Sequence, residues 1–211
     1  MFKGGTYLWL FHDLQRFSED LDFTSTGEIG ENLPDEISKL LFLYGIENEV
    51  SIMKNNAVST SFRILAKGPL NMGPKDLCSV YVEIGKRELV KLIPIPCRLD
   101  IPEYGLPIKI IKGMNLDEVG SEKVRAILTR NKPRDIYDLY YLIRQHRIHL
   151  NTDLINEKLQ YCRLYFDSET VMERVMCGEK TFNRELKSFV AGELPDYKVV
   201  IDTLKNWIQP Q

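Results

Sequence analysis

The sequence is poor in the residues that build metal centres and disulfides. Its 211 residues include three histidines and four cysteines, and Cys78, Cys97, Cys162 and Cys177 show no Cys-x-x-Cys spacing. The lack of that spacing argues against a zinc ribbon or a dithiol redox motif, and buried free thiols in a reducing compartment are expected. His146 and His149 stand three apart, but no cysteine or acid cluster joins them, so no zinc site is expected. His12 reads as a packed or solvent-facing residue rather than a base. No apolar run approaches the ~20 residues of a membrane span, and the N-terminus lacks a signal peptide; the cytoplasm is the expected location. Positive charge is not in excess either: 28 Lys and Arg against 30 Asp and Glu leave a net charge of −2. No global basic field draws nucleic acid, so any contact with RNA must come from local clusters.

What is present is an ordinary globular composition, 44% hydrophobic and 27% charged, in a chain long enough for one sizeable domain or two small ones. The chemistry concentrates between residues 3 and 23. Lys3-Gly4-Gly5-Thr6 opens an apolar segment in which Leu10, Phe11 and Leu14, broadened by Tyr7, Leu8 and Trp9, fit one helix face. Arg16-Phe17-Ser18-Glu19-Asp20-Leu21-Asp22-Phe23 follows. In a strand Asp20 and Asp22 point to one face while Leu21 and Phe23 point to the core.

Two carboxylates on one face repel by about 4 kcal/mol at ~4 Å and an effective dielectric near 20. A divalent cation removes that conflict. Oxygen-only ligands suit Mg²⁺, which takes one or two carboxylates and completes its shell with water and substrate phosphate. Gly4 and Gly5, lacking Cβ atoms, let backbone N–H groups approach a triphosphate, and the helix behind them adds its N-terminal dipole. Thr6 can donate its hydroxyl to the same phosphates. Taken singly, an Asp-x-Asp is usually a solvated strand end and a Gly-Gly-Thr a plain turn; their order here, with Arg16 and Ser18 ahead of the acids, favours the functional reading.

Further along, Pro34-Asp35-Glu36 starts a helix with Ile37, Leu40, Leu41, Leu43 and Tyr44 as its buried stripe and Gly45 as its stop. Val50 and Ile52, then Phe62 and Ile64, predict a hairpin across Asn55-Asn56. Ser79–Ile84 alternates strictly, with Glu83 on its polar face, where a carboxylate is ordinarily solvated. Pro94, Pro96 and Pro102 predict little regular structure from about 93 to 105. Ile108, Ile110 and Ile111 make a short strand, and Ser121 is the expected N-cap of a helix carrying Val124, Ile127 and Leu128. Ile136, Leu139, Tyr140 and Ile143 then mark a helix whose first turn holds Arg134 and Asp135. Asp135 lies at the margin of the apolar stripe and needs a partner. Lys123 or Arg130 could supply it as a buried ion pair locking two helices. Beyond residue 151 four amphipathic segments are chemically quiet.

The run Gly-Gly-Thr, helix, Arg-x-Ser-x-Asp-Leu-Asp-Phe resembles the first motif of the AbiEii/AbiGii toxin family of nucleotidyltransferases, a branch of the polymerase-β-like superfamily. Val82-Glu83-Ile84 with Arg87-Glu88, the stretch from Glu122-Lys123 through Arg130 to Arg134-Asp135-Ile136-Tyr137-Asp138-Leu139, and Leu194-Pro195-Asp196-Tyr197 are similar to its later motifs. Members carry some tens of residues ahead of the glycines, against three here, which bears on the first edge of the fold rather than on the motif.

The resemblance implies an α+β fold, a polymerase-β-like nucleotidyltransferase core with a mixed sheet over residues 1–115, and a C-terminal helical region, 116–211, closing over the nucleotide. It implies Asp20, Asp22 and Glu83 as ligands of catalytic Mg²⁺, with Glu83 alternatively activating the attacking hydroxyl. Lys3, Gly4, Gly5, Thr6, Arg16, Ser18, Lys123, Arg130 and Arg134 are the expected nucleotide contacts, and Asp135 or Asp138 supports the site. The implied reaction moves a nucleoside monophosphate from a triphosphate to an acceptor hydroxyl, the tRNA 3′ end, in a toxin–antitoxin or phage-defence setting with a cognate antitoxin. Transfer to a protein side chain, or a non-catalytic nucleotide- or RNA-binding module keeping the fold, are the alternatives.

Overall fold

A computed structural model describes residues 1–209; Pro210 and Gln211, the end of the expected helical region, lie outside the described residues. The chain forms two compact units, each drawing on two stretches: Met1–Tyr7 with Glu19–Val90, and Leu8–Ser18 with the chain from Lys91 onward.

The first unit holds β1 (Phe2–Lys3), the start of α1 (Gly4–Phe11), β2 (Leu21–Thr24), α2 (Leu33–Leu43), β3 (Asn48–Asn55), β4 (Ser59–Ala66) and β5 (Cys78–Gly85). Its strands run side by side in the order β3-β4-β5-β2-β1. β2 and β5 are parallel and β1–β2, β3–β4 and β4–β5 antiparallel, a mixed sheet. Alternation separates its faces. Phe62, Ile64, Val82 and Ile84 form the buried core of one face, with Leu21 and Phe23 of β2 and Leu33, Ile37 and Leu41 of α2 packed on it. Phe62 is fully buried, so truncating it to Ala would cost about 3–5 kcal/mol.

Of the leucines and isoleucine of α2, the row Leu33, Ile37, Leu41, spaced by four, packs on the core of the sheet, so the stripe expected on α2 is narrower than the sequence implied. Leu40, Leu43 and Tyr44 are exposed. Residues 40–44 are an unbroken apolar run, so at that end of the helix periodicity could not tell which side would find a partner. In α1 likewise Tyr7 and Leu8 are buried while Trp9 and Leu10 are exposed.

The second unit carries the hairpin β6 (Ile95–Leu99) and β7 (Lys109–Gly113), then α3 (Leu116–Arg130), α4 (Pro133–His146), α5 (Thr152–Gln160), α6 (Ser168–Cys177), α7 (Glu179–Leu186) and α8 (Tyr197–Ile208). The prolines of 93–105 do not prevent structure as expected: Pro96 stands within β6, opposite Lys112 of β7, and Pro102–Tyr104 form a single 3₁₀ turn. α3 begins earlier than predicted. Asn115, not Ser121, caps it by accepting the Asp117 N–H, and Ser121 lies mid-helix with its hydroxyl on the Asp117 carbonyl at 2.9 Å. Proline at its first position starts α4, where the missing N–H would have had no acceptor. Val124, Ile127, Ile136, Leu139, Leu142, Ile155, Val175, Phe182 and Leu204 fill the interior. Of the four cysteines only Cys97 is buried, and Cys78 and Cys177 are exposed, so the expectation of buried thiols holds for one position.

The stretch Leu8–Ser18 is tied into this second unit. Leu14 is buried. The Tyr141 hydroxyl donates to the Asp13 carbonyl at 2.6 Å, the Phe17 N–H to the Phe189 carbonyl at 2.6 Å and the Ala191 N–H to the Gln15 carbonyl at 2.9 Å.

Candidate active site

In the first unit the register of three strands brings charged residues into one row. Asp22 of β2 stands opposite Glu83 of the parallel β5, Lys3 of β1 opposite Asp22, and Ser61 of β4 opposite Glu83. Paired residues share a face, and neighbouring strands lie about 4.8 Å apart. Asp22 and Glu83 are therefore adjacent on the face opposite the apolar core. Asp20 comes just before β2 begins and is half-buried; Glu83 is exposed. Lys3 lies 3.9 Å from Glu88, a half-buried pair at the same end of the sheet.

The glycines are themselves the first turn of α1, closer to the acids than a turn preceding the helix would be. Gly4 has φ +80, and a Cβ placed on it would fall on the carboxylate of Asp22. Only glycine combines that backbone with that approach. The first-turn amides of α1 have no intrahelical acceptor, so the helix start offers donors beside an acid pair. Thr6 does something other than the expected phosphate contact: it is buried, and its hydroxyl proton goes to the Asp20 main-chain carbonyl at 2.5 Å. That bond ties the approach to β2 onto α1. Gly4→Ala is expected to cost at least about 1–2 kcal/mol for the left-handed conformation alone and to displace Asp22; an unchanged melting temperature would contradict this packing.

The donor set fits a hard divalent cation. Asp20, Asp22 and Glu83 offer carboxylate oxygens only, and Gly4 leaves the side of Asp22 open to backbone. Among the described residues no three His, Cys, Asp or Glu side chains come together as a group that could hold a metal ion, so the register brings together the pair Asp22 and Glu83 rather than the expected three. Mg²⁺ characteristically takes one or two carboxylates, leaving the rest of its shell to water and phosphate.

The second unit gathers the other expected residues into a buried ion network. Arg16 grips Asp138 with two bonds, Nε to Oδ1 at 2.6 Å and Nη2 to Oδ2 at 2.8 Å. Lys123 of α3 bridges the two aspartates of α4, at 2.5 Å from Asp138 and 3.2 Å from Asp135. Arg130 closes the set with bonds of 2.8 and 2.7 Å to Asp135. Both aspartates are fully buried. Burial pushes the Asp135 carboxyl up, but Lys123 and Arg130 outweigh it and hold it well below the usual carboxylate range. Asp138 is held low in the same way, against burial, by Arg16 and Lys123. Asp135 therefore has both partners that its position on the helix margin called for, and Asp138 is the link to Arg16, four residues ahead of Asp20 in the chain. Ser18 and Arg134 are half-buried; Arg134 makes no ion pair among the described residues.

His12 packs against the His146 ring, centroids 5.3 Å apart. Burial, and then the neighbouring His146, lower its pKa to about 4, against a smaller opposing effect of Asp13. The unfolded chain takes up this proton near pH 6.5 and the folded chain only near 4, so stability falls as pH drops between those values. Melting temperatures across that window should flatten in His12→Gln; an identical pH slope would remove His12 from the account.

Sequence reasoning missed a second buried cluster. The carboxylate of Glu118, fully buried on α3, accepts the Lys91 and Leu92 N–H groups at 3.0 Å and pairs with buried Lys158 of α5. Lys158 also reaches Glu122 at 3.4 Å. Glu118 and Glu122 are one helical turn apart and so share a face, but nothing local marks Lys158 as their partner.

Comparison with known proteins completes the picture. A family model described as "Nucleotidyl transferase AbiEii toxin, Type IV TA system" matches residues 1–203. No curated protein matches the sequence. Among solved structures, the chain is similar to JHP933 from Helicobacter pylori, with 20% identity over 99% of this chain and 81% of that one and a TM-score of 0.63. It is also similar to MenT4, a nucleotidyltransferase toxin from Mycobacterium tuberculosis H37Rv, with 18% identity over 100% of this chain and 75% of that one and a TM-score of 0.66. These two likenesses concern the fold.

Proposed function

The chain belongs to the AbiEii family of nucleotidyltransferase toxins of type IV toxin–antitoxin systems, and from that premise we propose that it moves a nucleoside monophosphate from a nucleoside triphosphate to the 3′-hydroxyl of a tRNA in the cytoplasm. The observation that carries this reading is the register that sets Asp22 beside Glu83 with Gly4 against the Asp22 carboxylate. A plain solvated strand end requires neither the in-register second acid nor the glycine.

In the proposed reaction the acceptor oxygen forms a bond to the α-phosphorus as the bond from that phosphorus to the pyrophosphate oxygen breaks. Glu83, exposed on β5, is placed to receive the acceptor proton. The first-turn amides of Gly4, Gly5 and Thr6 are the donors for the departing phosphates, with Lys3 alongside. Mg²⁺, which Asp20 and Asp22 would hold, would supply neutralisation of the phosphate charge when bound. Arg16, Lys123, Arg130, Asp135 and Asp138 act as positioning residues that hold the segment entering the Asp20-Leu21-Asp22 motif. The family setting implies a cognate antitoxin. No helix among the described residues is long and apolar enough to cross a membrane.

The test is incubation of the purified protein with Mg²⁺, total tRNA and each α-labelled triphosphate in turn. Label in RNA is the expected result and names the nucleotide. Label in protein instead would identify a side chain as acceptor. Bound nucleotide with no transfer to either would replace the reading with a binding module.

A further inference from the structure

Beyond Glu83 the polar face of the sheet continues over β4 and β3, and none of its residues there has yet been given a task. Alternation puts Ser59, Ser61 and Arg63 of β4 on the face of Glu83, since Thr60, Phe62 and Ile64 belong with the apolar side. The pairs Arg63↔Tyr81, Ser61↔Glu83 and Ser51↔Arg63 carry this face across three strands. One irregularity extends it. β3 pairs Ile52 with Phe62 and then Lys54 with Ser61, so Met53 is an extra residue. Without that bulge Met53 would oppose Ser61 and Lys54 would turn to the other face; the bulge re-aims the lysine.

Arg63 and Lys54 are exposed and Tyr81 is half-buried. Neither cation forms an ion pair or side-chain hydrogen bond among the described residues, although Glu83 is a diagonal neighbour of Arg63 by register, about 7–8 Å away. In a chain of net charge −2, two cations without an ion pair among the described residues therefore share one sheet face with an aromatic ring, the acid pair and Glu49 of β3, the other diagonal neighbour of Arg63.

We infer that this strip over β5, β4 and β3 is the track for the unpaired 3′ end of the acceptor RNA, with Arg63 and Lys54 on its phosphates and Tyr81 against a base. The inference rests on the nucleotidyl-transfer reading and adds the direction of entry. Displacement at the α-phosphorus is in line, so the attacking hydroxyl arrives opposite the departing pyrophosphate. The donors for the pyrophosphate lie at the start of α1, next to Asp22, on the β1 side of the acids. The acceptor must then come from the opposite side, and the strand order places β4 and β3 there, beyond Glu83. Positive charge suits a phosphate backbone, and an aromatic ring suits an unstacked base, whereas a duplex end offers no free base face.

The experiment measures binding of a fluorescent hairpin RNA with a short unpaired 3′ end, and of the same hairpin ending blunt, to the full chain between about 50 and about 200 mM salt. The double variant Arg63→Ala/Lys54→Ala should weaken binding of the overhang RNA about tenfold or more at low salt. It should also make its salt slope shallower by about 1.4, at ~0.7 for each single-strand phosphate contact, with Mg²⁺–triphosphate affinity unchanged. Arg63→Lys should keep the slope, and Tyr81→Ala should abolish the preference for the overhang over the blunt hairpin. A wild-type slope in the double variant, equal weakening of the blunt hairpin, or a loss that falls on triphosphate affinity would each overturn the assignment. If the wild-type protein transfers label yet the variants bind RNA as it does, the track is wrong and the enzyme reading stands. Failure of transfer with the binding pattern as expected would remove the enzyme reading alone.

Discussion

Asp22→Asn is expected to lower nucleotide transfer by about a thousandfold or more, with Asp20→Asn close behind, while both proteins keep the wild-type melting temperature within a few degrees. The substitution is isosteric and removes only charge, so packing against Gly4 is retained. What is lost is the charge that would hold a cation against the triphosphate. Removing a single group that stabilises transition-state charge typically costs 10²–10³ in rate, and about 4 kcal/mol of barrier corresponds to a thousandfold. Asp20 differs in one respect: its main-chain carbonyl is already fixed by Thr6, so Thr6→Val should reduce transfer less than either aspartate change, by loosening Asp20 rather than by removing its charge. Rates of label incorporation at saturating triphosphate measure all three. Transfer within tenfold of wild type in Asp22→Asn would sink the proposed site.

The second large effect is on stability. Asp138→Ala should cost about 3–5 kcal/mol, because it strips Arg16 of its carboxylate and leaves Lys123 only the longer contact to Asp135. Arg16 is 5% exposed, so water cannot replace the lost partner. Breaking a buried pair from one side leaves an uncompensated charge, which is the costly way to remove it. Urea denaturation measures the loss; on heating it corresponds to a shift on the order of 10 °C. Asp138→Asn keeps an acceptor for Arg16 and should cost less. Arg130→Ala should cost least, since its side chain is 46% exposed and water screens its pair with Asp135. The network also sets a pH dependence. Asp135 and Asp138 are held below their unfolded values, so the stability they contribute is present above about pH 4 and is lost as pH falls further. A loss under about 1 kcal/mol in Asp138→Ala would mean that Arg16 finds another partner, and the positioning role of the network would fall with it.

Much of this protein is local information, and the sequence alone determined that part. Alternation in Leu21–Phe23 and in Ser79–Ile84 determined which residues of β2 and β5 face the core, because a strand's side chains alternate whatever lies next to it. Proline at 133 and the spacing of Ile136, Leu139 and Ile143 determined α4 in the same way. The Gly-Gly-Thr and Asp-x-Asp motifs, read with their neighbours, were enough for the family identified by the match over residues 1–203. Tertiary structure decided whatever depends on a partner distant in the chain. The helical wheel said that Asp135 needs a cation, but only the packing of α3 on α4 and of the 8–18 segment could show Lys123 shared between two aspartates and Arg16 held by the second. Leu33, Ile37 and Leu41, rather than Leu40, Leu43 and Tyr44, pack on the sheet because the unbroken apolar run 40–44 carries no preference until a surface is offered. Glu118 found Lys158 forty residues on, and no periodicity encodes such a pairing. The bulge at Met53 is the plainest case: one residue inserted against Ser61 turns Lys54 to the face of the acids, because side-chain direction in a sheet follows from register, and register belongs to two strands rather than one.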